Sequence, residues 1–162
     1  LEEQTKDFAE IMGAEHWAFA PTVWRKNDEW LDWPKSQSSD FPELITKATR
    51  STQPGYGVSI ISKLPVVKWE RKELSKALIG WWLPFTSDGV TKKYWVKDHA
   101  RNAIAAYFED GTVIINTHLS WEPIFRNIQL IQLKRHHPLL VACLLFYKAL
   151  QSRLHSPSFA AY

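Results

Sequence analysis

At 162 residues, 45% of them hydrophobic and 23% charged, the chain has the composition of an ordinary globular domain, or a piece of one, with enough length for a sizeable core. The net charge of +3 is small and its Lys and Arg are spread along the chain, so charge singles out no ligand, nucleic acid included. One cysteine, Cys143, excludes an internal disulfide and leaves the compartment open.

The chain begins at Leu1, with no charged-then-apolar leader, and reads as an excerpt. Residues 2–12, EEQTKDFAEIM, carry acids early and apolar Phe8, Ile11 and Met12, followed by Gly13, which predicts a short amphipathic helix with a glycine cap. A strand is expected from His16 to Pro21. Residues 24–54 hold prolines, Ser, Asp and several tryptophans without a period, and predict a long excursion within the domain, with local helical turns around PELITKAT. From Gly55 the texture turns to strand: GYGVSIIS, a turn at Lys63-Leu64-Pro65, then VVKWERKEL with the alternation of a half-exposed strand. Gly80 to Pro84 reads as loop and Ser87-Asp88-Gly89 as a turn, after which Lys93 to Val96 leads into residues 101–121, RNAIAAYFEDGTVIINTHLSW. Beyond Pro123, the spacing of Ile124, Ile128, Ile131 and Leu133 predicts a helix over 124–135. HHPLLV has the look of an entry to a buried strand, yet ACLLFYKALQSRL continues with helix formers, so 142–162 is set apart as a divergent tail. The longest apolar run, Leu139 to Tyr147, is well short of the roughly 20 residues of a membrane helix, and no transmembrane segment is expected.

The chemistry concentrates in 101–121. Asp110-Gly111 between two apolar runs predicts a hairpin with a two-residue type I′ turn. Counting outward from Glu109 opposite Thr112 pairs Ala105 with Asn116, Ala103 with His118 and Arg101 with Ser120. Phe108, Ala106, Ile104, Val113, Ile115, Thr117 and Leu119 then form a core face, and Arg101, Asn116, His118 and Ser120 cluster on the other. Arg101 becomes the diagonal neighbour of His118, roughly 7–8 Å away. An arginine beside an imidazole suits a phosphate or another anion, held by charge-assisted hydrogen bonds while the histidine exchanges a proton. A bulge at Gly111 would slip that register by one residue.

Each of these residues also has a plainer reading: His118 as a strand-end structural histidine, Arg101 as a solvated or paired charge, Asn116 as a partner of backbone groups. His136 and His137 are adjacent, point in different directions and read as surface residues; His16 and His99 have no partner visible in sequence. The nine tryptophans show no regular spacing and read as core and loop packing with one or two at a binding rim, and Cys143 reads as a buried small hydrophobe. No Gly-rich phosphate loop, nucleophile elbow or CxxC occurs.

GYGVSIISKLPV, then ARNAIAAYFEDGTVIINTHLS, then RNIQLIQLKR resemble, in order and spacing over roughly residues 2–141, the middle of the endonuclease/exonuclease/phosphatase superfamily. The resemblance implies an α/β (α+β) fold of the DNase I-like kind, a four-layered sandwich of mostly antiparallel sheets with flanking helices, here an incomplete one. It implies a hydrolase, a metal-dependent phosphoesterase acting on a phosphodiester or phosphomonoester, with Mg2+ or Mn2+ as cofactor. The partner would be a phosphate-ester substrate, a range that includes nucleic acid and phospholipid head groups. His118 stands at the superfamily's catalytic T-H-L histidine, and Arg101 where members place a phosphate-contacting side chain. The departures are specific. The Q-E motif with its metal-binding glutamate is not present, Val141 is followed by ACLLFYKAL rather than a G-D-x-N strand, and no S-D-H motif occurs. Metal ligands are therefore missing from this chain. The expectation is a phosphoesterase activity of a complete parent protein, and the alternative is a catalytically inactive fragment that acts as a binding module or has no function.

Overall fold

The computed structural model describes residues 2–136 apart from 28, 36, 37, 79 and 88. The readings for residues 137–162, including Cys143 and the divergent tail, lie outside the described residues. Helix α1 (Glu2–Met12) ends in a paired cap at Gly13, whose φ is +62°. The Gly13 N–H donates to Glu10 O at 3.1 Å and the Ala14 N–H to Ala9 O at 2.8 Å, which satisfies carbonyls that the helix end leaves open.

Four antiparallel strands follow: β1 (His16–Lys26), β2 (Glu29–Asp32), β3 (Ile45–Thr46) and β4 (Gly55–Ser62). β1 is central, with β4 along one edge from His16 opposite Ser62 to Trp24 opposite Gly55, and β3 and then β2 along the other. Pairing on both edges carries β1 past the expected end at Pro21. The excursion over 24–54 is accordingly more structured than expected. The end of β1 and both β2 and β3 lie in it, and Ile45 pairs with Phe19 in a strand where helical turns were expected. Ile45 is fully buried, so its burial overrides local preference. Trp33 pins the same stretch: its ring is 5% exposed, and its indole N–H donates to Pro42 O at 3.0 Å.

The remaining strands are β5 (Lys68–Leu74), β6 (Trp81–Ser87), β7 (Val90–Val96), β8 (Arg101–Tyr107) and β9 (Val113–Thr117), with helix α2 (Pro123–His136) after them. β5, β8 and β9 form a second antiparallel sheet with β8 in the centre, and β6 and β7 form a separate two-stranded ribbon. The segment expected as a loop at Gly80 to Pro84 is thus mostly strand. Pro84 is tolerated there because the ribbon has only one partner for each strand.

The two sheets pack face to face. Ala18, Ala20, Val58 and Ile60 of the first meet Ile104 and Ala106 of the second. On the outer side of the first sheet, Ala9 of α1 joins Trp17, Phe19, Trp33 and Ile45. On the outer side of the second, Leu133 of α2 joins Leu74 and Ala103, with Ile115 and Leu119 around them. The order of layers is helix, sheet, sheet, helix, in an α+β chain of mostly antiparallel strands. Each fully buried Ile or Leu in these clusters contributes roughly 2 kcal/mol through the apolar surface it removes from water.

The hairpin at 101–121 forms, but not with the expected turn. Phe108 pairs with Thr112, its N–H donating to Thr112 O at 3.0 Å, and the Gly111 N–H donates to Phe108 O at 3.1 Å. Of the three loop residues only Gly111 has positive φ, +82°, so the loop is a three-residue turn closed by a glycine bulge rather than a two-residue type I′ turn. Asp110 stabilises it by accepting the Thr112 N–H at 2.9 Å. The register is Ala103 opposite Thr117, Ile104 opposite Asn116 and Ala105 opposite Ile115. The expected face assignment is therefore corrected. Ile104, Ala106, Asn116 and His118 lie on the side of the first sheet, and Arg101, Ala103, Ile115, Thr117 and Leu119 alternate to the side of α2. Because β8 is buried on both sides, its apolar pattern carried no bias toward either register.

Candidate functional site

At one end of the sandwich, the start of β8, the end of β9 and the start of β4 converge. They enclose a small cavity of ≈ 50 Å³ lined by Thr22, Tyr56, His99, Arg101 and His118, among others. Tyr56 comes from the GYG segment of β4, on the face that also buries Val58 and Ile60, and so meets the second sheet at its open edge.

Arg101 is the first residue of β8, and its guanidinium bends around the end of the strand. Nη1 lies 3.2 Å from His118 Nδ1, and the Tyr56 hydroxyl lies 3.3 Å from the same nitrogen. Since guanidinium is only a donor, Nδ1 accepts and the imidazole proton sits on Nε2. The His118 pKa is lowered by burial and then by the Arg101 charge, with Asp98 opposing, so the ring is neutral at ordinary pH.

The other edge of the guanidinium is anchored. Asp98, completely buried, accepts from Arg101 Nη2 at 2.5 Å and Nε at 3.2 Å through Oδ1, and from the Ser120 hydroxyl through Oδ2. Ser120 is fixed in turn by α2: its N–H donates to Gln129 Oε1 at 2.7 Å, while Gln129 Nε2 donates to Ser75 O at 2.8 Å. The helix starts where it must for this, with Pro123 in the first turn and the Glu122 carboxylate accepting the Phe125 N–H at 2.8 Å as its cap. The chain from α2 to the guanidinium is thus an unbroken set of hydrogen bonds, buried at Ser120 and partly buried at Arg101.

Of the three residues expected at the site, Arg101 and His118 come together and Asn116 does not join them. Asn116 Nδ2 donates to Ser59 O at 2.8 Å and ties β9 to β4. Sequence reasoning missed Tyr56, Asp98, Thr22, His99 and the buried role of Ser120. Asp98, three residues before Arg101, had a usable signal as an acid beside a base, and His99 was read as isolated although it shares the cavity. The His99 pKa is lowered by burial, with Asp32 pulling the other way.

The divalent cation implied by the resemblance does not fit the residues present. Among the described residues no three His, Cys, Asp or Glu side chains converge. Both oxygens of Asp98 are taken, and Asp32 accepts from the Ala100 N–H at 3.2 Å and from Lys76. A larger cavity of ≈ 450 Å³ beside α1, lined by Lys6, Glu10, Lys47 and Arg50 among others, contains no histidine. Among the described residues no helix is long and apolar enough to cross a membrane. No protein-family model, no curated protein and no solved structure matches the chain.

Proposed function

We propose that the chain carries the phosphate-binding wall of a phosphoesterase of the endonuclease/exonuclease/phosphatase kind, built on a DNase I-like sandwich. The observation that carries this reading is the Arg101–His118 pair: a guanidinium held from behind by a buried carboxylate, with Nη1 directed at a neutral imidazole in a cavity between two sheets. The order helix, sheet, sheet, helix supports the same reading, since it is the order the sequence resemblance implies.

A phosphoryl oxygen takes the place of His118 Nδ1 as the acceptor for Nη1, and the Tyr56 hydroxyl holds the released ring. Burial keeps the imidazole in its base form, ready to accept a proton. In hydrolysis a water oxygen bonds to phosphorus and its proton passes to His118 Nδ1, the Tyr56 hydroxyl turning from donor to acceptor of the new N–H, while the ester P–O bond breaks with its electron pair on the leaving oxygen, which takes a proton from solvent. Carboxylates for a divalent cation belong, in this proposal, to chain beyond these 162 residues. A second reading is favoured by the full commitment of Asp98 and Asp32: the chain by itself binds phosphate and does not hydrolyse esters.

Histidine NMR resonances followed during titration with inorganic phosphate test both readings, alongside assays of bis-p-nitrophenyl phosphate with Mg2+. Expected are a saturable shift of the His118 signal, absent in Arg101→Gln, and no turnover. A His118 signal indifferent to phosphate sinks the site. Turnover that survives repurification and vanishes in His118→Ala overturns the second reading and shows that the chain completes a site of its own.

A further inference from the structure

We propose that the β6–β7 ribbon is a docking element for an anionic lipid bilayer surface. The ribbon runs from Trp81 opposite Val96 to Ser87 opposite Val90 and belongs to neither sheet. Trp82, Phe85, Val90, Tyr94 and Trp95 stand between 52% and 62% exposed, a density of solvent-facing aromatic surface found on no other strand pair among the described residues. Opposed residues share a face, so Leu83, Phe85, Val90 and Tyr94 line one side and Trp82, Pro84 and Trp95 the other.

The rings are already ordered. Trp82 and Trp95 pack edge to face at 5.6 Å, and Phe85 and Tyr94 do so at 5.8 Å. Residues 81–97 contain Lys92, Lys93 and Lys97 against a single acid, Asp88. Tryptophan and tyrosine beside lysine is the composition that partitions into the head-group zone, the rings at the acyl boundary and the ammonium groups among lipid phosphates. The backbone sets the depth. A two-stranded ribbon leaves unpaired N–H and C=O groups on both outer edges, so it lies in the hydrated interface and does not enter the hydrocarbon.

Charge argues against a second copy as the occupant. A two-fold contact through either face would bring together two copies of a lysine-bearing surface with no acid opposite it among the described residues, Lys92 beside Phe85 on one face or Lys93 beside Pro84 on the other. The ring geometry argues against single-stranded nucleic acid. The interplanar angles of 66° and 69° commit the rings to each other in two edge-to-face pairs, one on each face of the ribbon, rather than in a row on which successive bases could stack. The second strand of the ribbon runs directly into Asp98, so docking would hold the mouth of the sandwich close to the bilayer. The docking itself stands whether or not that mouth binds phosphate.

The test is co-sedimentation of the full chain with phosphatidylcholine vesicles, with and without phosphatidylserine, together with quenching of tryptophan fluorescence by brominated lipid. Binding is expected to phosphatidylserine-containing vesicles only, and to weaken with salt. It should fall roughly 25-fold in Lys92→Ser/Lys93→Ser, from about fivefold per lysine, and be lost in Trp82→Ser/Trp95→Ser. Far-UV circular dichroism identical to that of the parent chain establishes that these surface variants fold, and Leu83→Ser/Phe85→Ser serves as a replacement where one does not. Equal binding by parent and variants overturns the proposal, as does binding indifferent to phosphatidylserine. So do two other outcomes: a dimer in solution that Trp82→Ser/Trp95→Ser dissolves, and an oligonucleotide complex that it abolishes while lipid binding is absent.

Discussion

Arg101 Nη1 and His118 Nδ1 lie 3.2 Å apart although strand alternation assigns the two residues to opposite faces of the β8–β9 ladder. The contact exists because Arg101 sits at the strand end, where a long side chain can turn the corner, and because Asp98 fixes the direction in which it turns. The contact therefore belongs to the set Asp98, Arg101, His118 and Tyr56 rather than to one face of one sheet.

The first consequence concerns pH. Burial and the Arg101 charge hold the His118 pKa below 6.5, and burial does the same for His99. Below about pH 6.5 the unfolded chain takes up protons that the folded chain refuses, so these two groups make stability fall as pH drops and contribute no slope above that point. Proton NMR titration, with the His118 signal assigned through His118→Gln, should show a midpoint below 6.5; a midpoint above it contradicts the geometry.

Breaking the buried ion pair should cost more than removing it. Arg101→Ala leaves the Asp98 carboxylate inside the protein without its cation, at a cost of about 4 kcal/mol. Asp98→Asn/Arg101→Gln removes both charges and should lose clearly less than the sum of the single changes. Urea denaturation of Asp98→Asn, Arg101→Gln and the double variant measures the difference, and additive losses would mean that the two side chains do not act as a pair.

Glycine in the GYG segment is required for a packing reason. A Cβ at Gly57 would lie 2.0 Å from Ala20 O, where β1 bulges between Pro21 and Val23 against β4. Gly57→Ala should cost about 3 kcal/mol because the two strands must separate. Gly111→Ala, whose Cβ meets nothing within 4 Å and bears only the strain of φ at +82°, should cost about 1 kcal/mol. Thermal melts of both variants check the order.

On the far side of the second sheet, Glu70 has its pKa lowered from 4.5 to about 2, chiefly by the hydrogen bond from Lys68 and next by that from the Tyr107 hydroxyl. A depressed carboxylate contributes stability that is complete above its unfolded value and lost as pH falls through its folded one. The gap in urea midpoint between the parent chain and Glu70→Gln should thus be full above about pH 4.5 and close toward pH 2. The same variant should bring Tyr107, raised to about 12 by burial and then by Glu70, back toward 10 in an ultraviolet tyrosinate titration.

Local signals alone placed α1, β4 and α2 to within a residue or two, because their punctuation is covalent: Gly13 can adopt the left-handed cap, and Pro123 suits the first turn of a helix. Amino-acid order also put Arg101 and His118 at the ends of neighbouring strands. Only the tertiary structure decided the rest. The register of β8 against β9 stayed open in the sequence because both faces of β8 are buried and apolar alternation prefers neither. Asn116 serves as a clip to Ser59 because β4, distant in the chain, runs beneath it. Tyr56 stands 62 residues from His118, and Gln129 reaches back 54 residues to Ser75; such partners meet only when the layers close, since nothing in the intervening chain encodes their separation in space.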